Sequence, residues 1–204
     1  MNDSVRIFAA AVILAMPGLA EGDALAEGLG AYDVGDYEKS LTLCQPLADQ
    51  GVAAAQFCVG RLYANGFGVP MDDAQALKWY GLAAGQGHAE AQFNLGVMHA
   101  NGWGVPMNDD EAAKWYRQAA ESGQVQAQMA FAAVLREGRG VAQSNQQAYM
   151  WYRIAADLGD TAAISNRDDM AEKLTAPERE AADGEAAAWL KRLEDDPLRV
   201  GQVE

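Results

Sequence analysis

From residue 55 to residue 162 the apolar positions come in blocks that return every 36 residues. Trp79-Tyr80 recurs as Trp115-Tyr116 and as Trp151-Tyr152. Ala55-Gln56-Phe57 returns as Ala91-Gln92-Phe93 and Ala127-Gln128-Met129, and the alanine pairs Ala83-Ala84, Ala119-Ala120 and Ala155-Ala156 keep the same step. Polar and glycine positions punctuate the blocks in the same register: Gly66-Phe67-Gly68, Gly102-Trp103-Gly104 and Gly138-Arg139-Gly140, then Gly87, Gly123 and Gly159. Each unit reads as two helices. The first covers residues 55–65 and stops at the Gly-x-Gly pair, where left-handed backbone carries no Cβ penalty. The second starts at Asp72-Asp73, Asn108-Asp109 or Ser144-Asn145, residue types that accept hydrogen bonds from the first free amides of a helix. Small residues at Ala55, Gly60 and Ala84 allow close helix approach, and each Trp-Tyr pair offers about 150–250 Å² of burial per ring. A helix pair of this kind has an apolar face that it cannot bury alone, so the pairs must stack.

The pattern A-x4-G-x2-Y-x2-G-x-G-V…D-x3-A-x2-W-Y-x2-A-A-x2-G resembles the Sel1-like repeat family, a relative of the tetratricopeptide repeats. The resemblance implies an all-α fold, a right-handed α-α superhelical solenoid of stacked helix-turn-helix repeats. The third copy departs most, with Ala132 for the first glycine, Leu135 for the tyrosine and Met150 where the others have lysine; His99 replaces the tyrosine of the second.

Shorter units flank the three copies. Gly35-Asp36-Tyr37-Glu38-Lys39-Ser40-Leu41 resembles the loop and second helix of a tetratricopeptide-type unit with a shortened loop, and Pro46 is expected to kink or shorten that helix. Residues 163–174 continue one more first helix. Thr175 and Glu178 then form a capping box, opening a helix that carries Trp189 and Leu193 and closes the stack, with Gly184 weakening it by about 1 kcal/mol relative to alanine. The expected organisation is a signal segment at 1–20, a short unit at 21–54, three repeats at 55–162, capping helices at 163–194 and a frayed tail at 195–204.

Charge and cysteines narrow the partners. A net charge of −14 argues against nucleic acid, which needs a basic face, and against anionic lipid. Ten acids and seven bases lie in residues 55–162, so most of the excess negative charge sits at the two ends. Arg6, the apolar residues 7–16, Pro17-Gly18 and the small residues before Glu21 read as a secretory signal cleaved after Ala20, or alternatively after Ala26. That predicts a periplasmic or secreted protein. In an oxidising compartment Cys44 and Cys58, placed on two antiparallel helices joined by a tight turn, invite a disulfide; in a reducing one they are two small core residues.

Catalytic chemistry has little support. Some Sel1-repeat proteins have been described as β-lactamases, so a hydrolase is the alternative reading, yet none of Ser4, Ser40, Ser122, Ser144 and Ser165 is followed by lysine three residues on. No G-x-S-x-G elbow, H-E-x-x-H pair or phosphate loop is present, and two cysteines with His88 and His99 apart from them make a poor zinc site. No cofactor is expected. Similarity to tetratricopeptide stacks instead implies a concave face lined by first helices, with a protein or peptide partner on a monomer. The positions in register are Phe57, Arg61 and Asn65, then Phe93, Val97 and Asn101, then Met129, Ala133 and Arg136. Phe67 and Trp103, between loop glycines, form a second candidate patch, and Arg139 at the third equivalent position favours exposure there.

Overall fold

The computed structural model describes residues 21–195. The expected signal segment lies outside the described residues, as does the tail beyond Asp195. Among the described residues there are ten helices and no strand: α1 (Glu21–Asp33), α2 (Tyr37–Asp49), α3 (Ala53–Asn65), α4 (Asp73–Ala84), α5 (Ala89–Asn101), α6 (Asp109–Glu121), α7 (Val125–Glu137), α8 (Asn145–Asp157), α9 (Thr161–Ala171) and α10 (Ala176–Glu194). Each helix packs against the next up to α9, and α10 turns back onto α8. The result is an all-α solenoid of stacked hairpins.

The loop chemistry explains why the hairpins are alike. Gly66, Gly102 and Gly138 end α3, α5 and α7 with φ of 67°, 72° and 69°, a region that side chains with a Cβ avoid. The amides that follow, of Phe67, Trp103 and Arg139, donate 3.0 Å bonds back to Leu62, Met98 and Val134. Asp72, Asn108 and Ser144 then cap α4, α6 and α8 by accepting from Gln75, Glu111 and Gln147. Pro46 does not shorten α2, which runs its full 13 residues; the proline stands on the exposed face of the last turn, where its missing N–H disturbs no packed neighbour. Likewise α10 continues through Gly184, and Glu178 accepts from both the amide and the hydroxyl of Thr175 at its start.

Packing reuses the same contacts. Gly60 and Gly96 lie against the rings of Tyr80 and Tyr116 so closely that an added Cβ would stand 2.6 Å and 2.5 Å from them. Phe57 and Phe93 lean on the same tyrosines at 5.8 Å between centroids. A further recurrence involves buried glutamines. Gln56, Gln92 and Gln128 donate from Nε2 to the carbonyls of Ala48, Ala84 and Ala120, tying each first helix to the end of the preceding second helix. At the amino end, the disulfide Cys44–Cys58 joins α2 to α3 with a Cα separation of 6.4 Å. Gly28 of α1 approaches the Cys44 sulfur closely. At the other end, Trp189 meets Trp151 edge to face at 5.8 Å.

Candidate interaction site on the first-helix face

Helical spacing puts Phe57, Arg61 and Asn65 on one face of α3. Arg61 is half-buried. Its guanidinium lies 3.7 Å from the centroid of the Tyr32 ring on α1 and 5.5 Å from that of Phe57. Such stacking covers a guanidinium face while leaving the N–H edge available. Arg61 makes no ion pair among the described residues. Asn65 donates to the Arg61 carbonyl at 2.8 Å and lies 3.4 Å from the Tyr32 hydroxyl. These groups open onto a cavity of about 430 Å³, shared with Asp73 and Tyr80 of α4, Asn94, Val97 and Met98 of α5, and Trp103 of the following loop. Burial, with a smaller contribution from Tyr32, pushes the Tyr80 hydroxyl well above its ordinary value against the opposing influence of Arg61 and Asn94. It therefore stays protonated and able to donate.

Of the nine expected partner-binding positions, Arg61, Asn65 and Trp103 converge on this cavity. Phe57, Phe93 and Met129 are half-buried and pack against the core clusters beneath them. Asn101 is exposed and bonds the Val97 carbonyl, and Arg136 pairs with Glu137 at 2.9 Å. Phe67 and Trp103 do not share a patch. Phe67 stacks on Tyr37 at 4.3 Å within the amino-terminal aromatic cluster, whereas Trp103 is 51% exposed. Arg139, in the same loop position, is exposed but paired with Asp109 at 2.9 Å. The three loops thus reach the start of the preceding unit's second helix with three different chemistries.

Sequence reasoning missed Tyr32, Asp73, Tyr80 and Asn94. Asn94 had a signal: it stands where the other copies carry Cys58 and Ala130. A polar side chain that breaks the repeat on a helix otherwise tuned for packing is visible without coordinates.

Stacked hairpins closed by glycine-capped turns define an α-helical repeat solenoid. The Sel1 repeat family model matches residues 14–52, 53–88, 89–124 and 125–160. The chain belongs to the Sel1 repeat family, whose repeats generally mediate protein–protein interaction. Among solved structures, a Sel1 repeat protein from Oxalobacter formigenes is 38% identical with a TM-score of 0.67, over 70% of this chain and 59% of its own. The fold is also shared with c5321, a protective antigen of uropathogenic Escherichia coli strains displaying an SLR fold. That protein is 24% identical with a TM-score of 0.52, over 86% of this chain and 48% of its own. The chain thus spans about three fifths of the length of the first and just under half of the second. No curated protein matches it. No described helix is long and apolar enough to cross a membrane.

Proposed function

We propose that this chain is a non-catalytic binding module that takes a protein or peptide partner on its first-helix face. The observation that carries this reading is the ring-stacked Arg61, without an ion-pair partner among the described residues, at the edge of a cavity flanked by an exposed tryptophan. Exposed aromatic and arginine side chains are the residue types that dominate interface energetics. A photo-crosslinking residue at position 65, on the cavity, should yield a defined partner adduct in the native cell. The same residue at position 82, exposed on α4, should not. Equal products at both positions, or none at position 65, would overturn the reading.

Export to the periplasm or beyond belongs to the same proposal. It is supported by the basic-apolar start of the sequence and by a disulfide, which persists in oxidising compartments. The mature protein should begin at Glu21 on amino-terminal sequencing of the periplasmic fraction; an intact Met1 recovered from cytosol would defeat it.

A further inference from the structure

We propose that the cavity beside Arg61 receives the terminal carboxylate of a partner polypeptide whose last side chain is apolar. The inference rests on the binding reading above and specifies its chemistry. A half-buried guanidinium without a carboxylate partner has lost hydration and gained only ring contacts. An incoming carboxylate would restore charge-assisted hydrogen bonds in the bidentate geometry to which the guanidinium is matched. The other arginines of the first-helix face and its loops are already satisfied: Arg136 by Glu137, and Arg139 by Asp109. Arg61 is the exception.

Repeat register separates a binding role from a packing role. A residue needed to build the solenoid returns at 36-residue steps, as Tyr80 does in Tyr116 and Tyr152. Arg61 instead gives way to Val97 and Ala133, and Asn94 replaces Cys58 and precedes Ala130. Asn65, Asp73 and Tyr80 recur as Asn101, Asp109 and Tyr116, so it is Arg61 and Asn94 that set this one junction of α1, α3, α4 and α5 apart. Its donors are the Arg61 guanidinium and the hydroxyls of Tyr32 and Tyr80. The Tyr32 hydroxyl accepts from Asn65, so its own proton remains for a ligand oxygen.

The charge balance selects a chain end over an acidic segment. The cavity lining holds one cation, Arg61, and one carboxylate, Asp73, on a chain of net charge −14. A polyacidic segment would be repelled by that excess, whereas a terminus brings a single carboxylate. Val97, Met98 and Trp103 supply apolar wall for the side chain attached to it. The volume, about 430 Å³, falls within the range of small-ligand pockets and suits a few terminal residues better than a long groove-bound segment.

Fluorescein-labelled hexapeptide pools with Leu, Val, Phe or Trp fixed at the last position test this by anisotropy with the oxidised protein of residues 21–204. Free-acid pools should bind, and the same pools as terminal amides should bind about tenfold or more weakly, as expected for loss of a charge-assisted bond. Arg61→Gln should lose the preference for acid over amide, Arg61→Lys should keep part of it, and Trp103→Ala should weaken all pools while preserving the preference. The acid-to-amide comparison on the unaltered protein needs no variant, so a folding defect in Arg61→Gln cannot obscure the result. Equal binding of acid and amide pools would overturn the proposal. So would equal binding of amidated pools carrying an internal aspartate, which would assign the site to an acidic side chain. Absence of binding by every pool would overturn it too, while leaving crosslinking at position 65 to judge the broader binding role.

Discussion

Replacing Gly96 by alanine should destabilise the solenoid, although the same change elsewhere in a helix is stabilising. Gly96 sits inside α5, where alanine is intrinsically better by about 1 kcal/mol. Its new Cβ, however, would stand 2.5 Å from two carbons of the Tyr116 ring, a distance that forces the ring to move. Tyr116 is buried in the same core cluster as Ala112, Ala113, Ala119 and Ala120, and Phe93 of α5 also leans on it, so the ring has little room to move. Overpacking of this kind costs roughly 1–3 kcal/mol; after the propensity gain of about 1 kcal/mol the net loss is up to about 2 kcal/mol. For a chain of this size that corresponds to a fall of up to about 8 °C in Tm, readable by circular dichroism at 222 nm alongside urea titration. Gly184→Ala is the internal control. Nothing lies within 4 Å of its added Cβ, so only propensity acts, and stability should rise by about 0.5–1 kcal/mol. The third repeat supplies the rescue: it pairs Ala132 with Met129 where the others pair glycine with phenylalanine. Methionine adapts to irregular gaps, so Phe93→Met should recover part of the loss when combined with Gly96→Ala. A Gly96→Ala protein as stable as Gly184→Ala would refute the close-packing argument.

Other consequences follow from the hydrogen bonds. Gln86 donates to the Oε1 of buried Gln56 at 2.8 Å, whereas the equivalent atoms of Gln92 and Gln128 have no partner among the described residues, because Ser122 and Leu158 occupy the donor's register. Gln86→Ala should therefore cost about 1–3 kcal/mol, and Ser122→Gln should add about 1 kcal/mol; denaturant midpoints that do not move in opposite directions would sink this. His88 caps α5 by accepting from the Ala91 amide at Nδ1, an atom also 3.2 Å from Glu90, and the two contacts call for opposite protonation states. Burial lowers the His88 pKa against the pull of Glu90, so the neutral capping form holds. Below about pH 6.5 the unfolded chain takes up a proton that the fold resists, and stability should fall with pH. His88→Gln, which copies the Gln124 cap, should flatten that fall relative to wild type between pH 7 and pH 5; identical slopes would contradict the assignment. Reducing Cys44–Cys58 should lower stability by about 3 kcal/mol in the chain-entropy model, and two free thiols on titration of unfolded, unreduced protein would defeat the bridge itself.

The solenoid was legible because identical units demand identical contacts. Glycine caps, Asp/Asn/Ser starts and Trp-Tyr pairs repeat since each junction poses the same packing problem. Cys44 and Cys58 were legible as a pair for a similar reason: two helices and one tight turn fix their relative height. What was not legible comes from chain geometry that a register alone does not carry. Phe67 looks exposed by analogy with Trp103 and Arg139. The α1–α2 loop is short, however, and brings Tyr37 to the place where the later units present Asp73 and Asp109, so Phe67 finds a ring to stack on and Arg139 finds a carboxylate. Trp103 follows the same loop toward Asp73, with which it shares only a cavity wall, and it stays half in solvent. The cavity was missed because its walls come from α1, α3, α4 and α5, and no single repeat contains it.

Repetition also sets a standard against which function can be read. In a single-core protein a polar residue on a helix face is ambiguous, since no second copy shows what packing alone would choose. Here the other units supply that comparison. The buried glutamines recur with the same bond to the preceding second helix, so they are part of the stacking machinery despite their polarity. Arg61, Asn94 and Trp103 stand where the other units carry Val97 and Ala133, Cys58 and Ala130, or Phe67 and Arg139; a solenoid built from the same hairpins tolerates all of these. Stacking therefore does not require them, and the three nonetheless meet around one cavity. Independent departures scattered for want of constraint would not be expected to converge in space. Their convergence supports the proposal that recognition falls at the α1–α3–α5 junction rather than along the whole first-helix face.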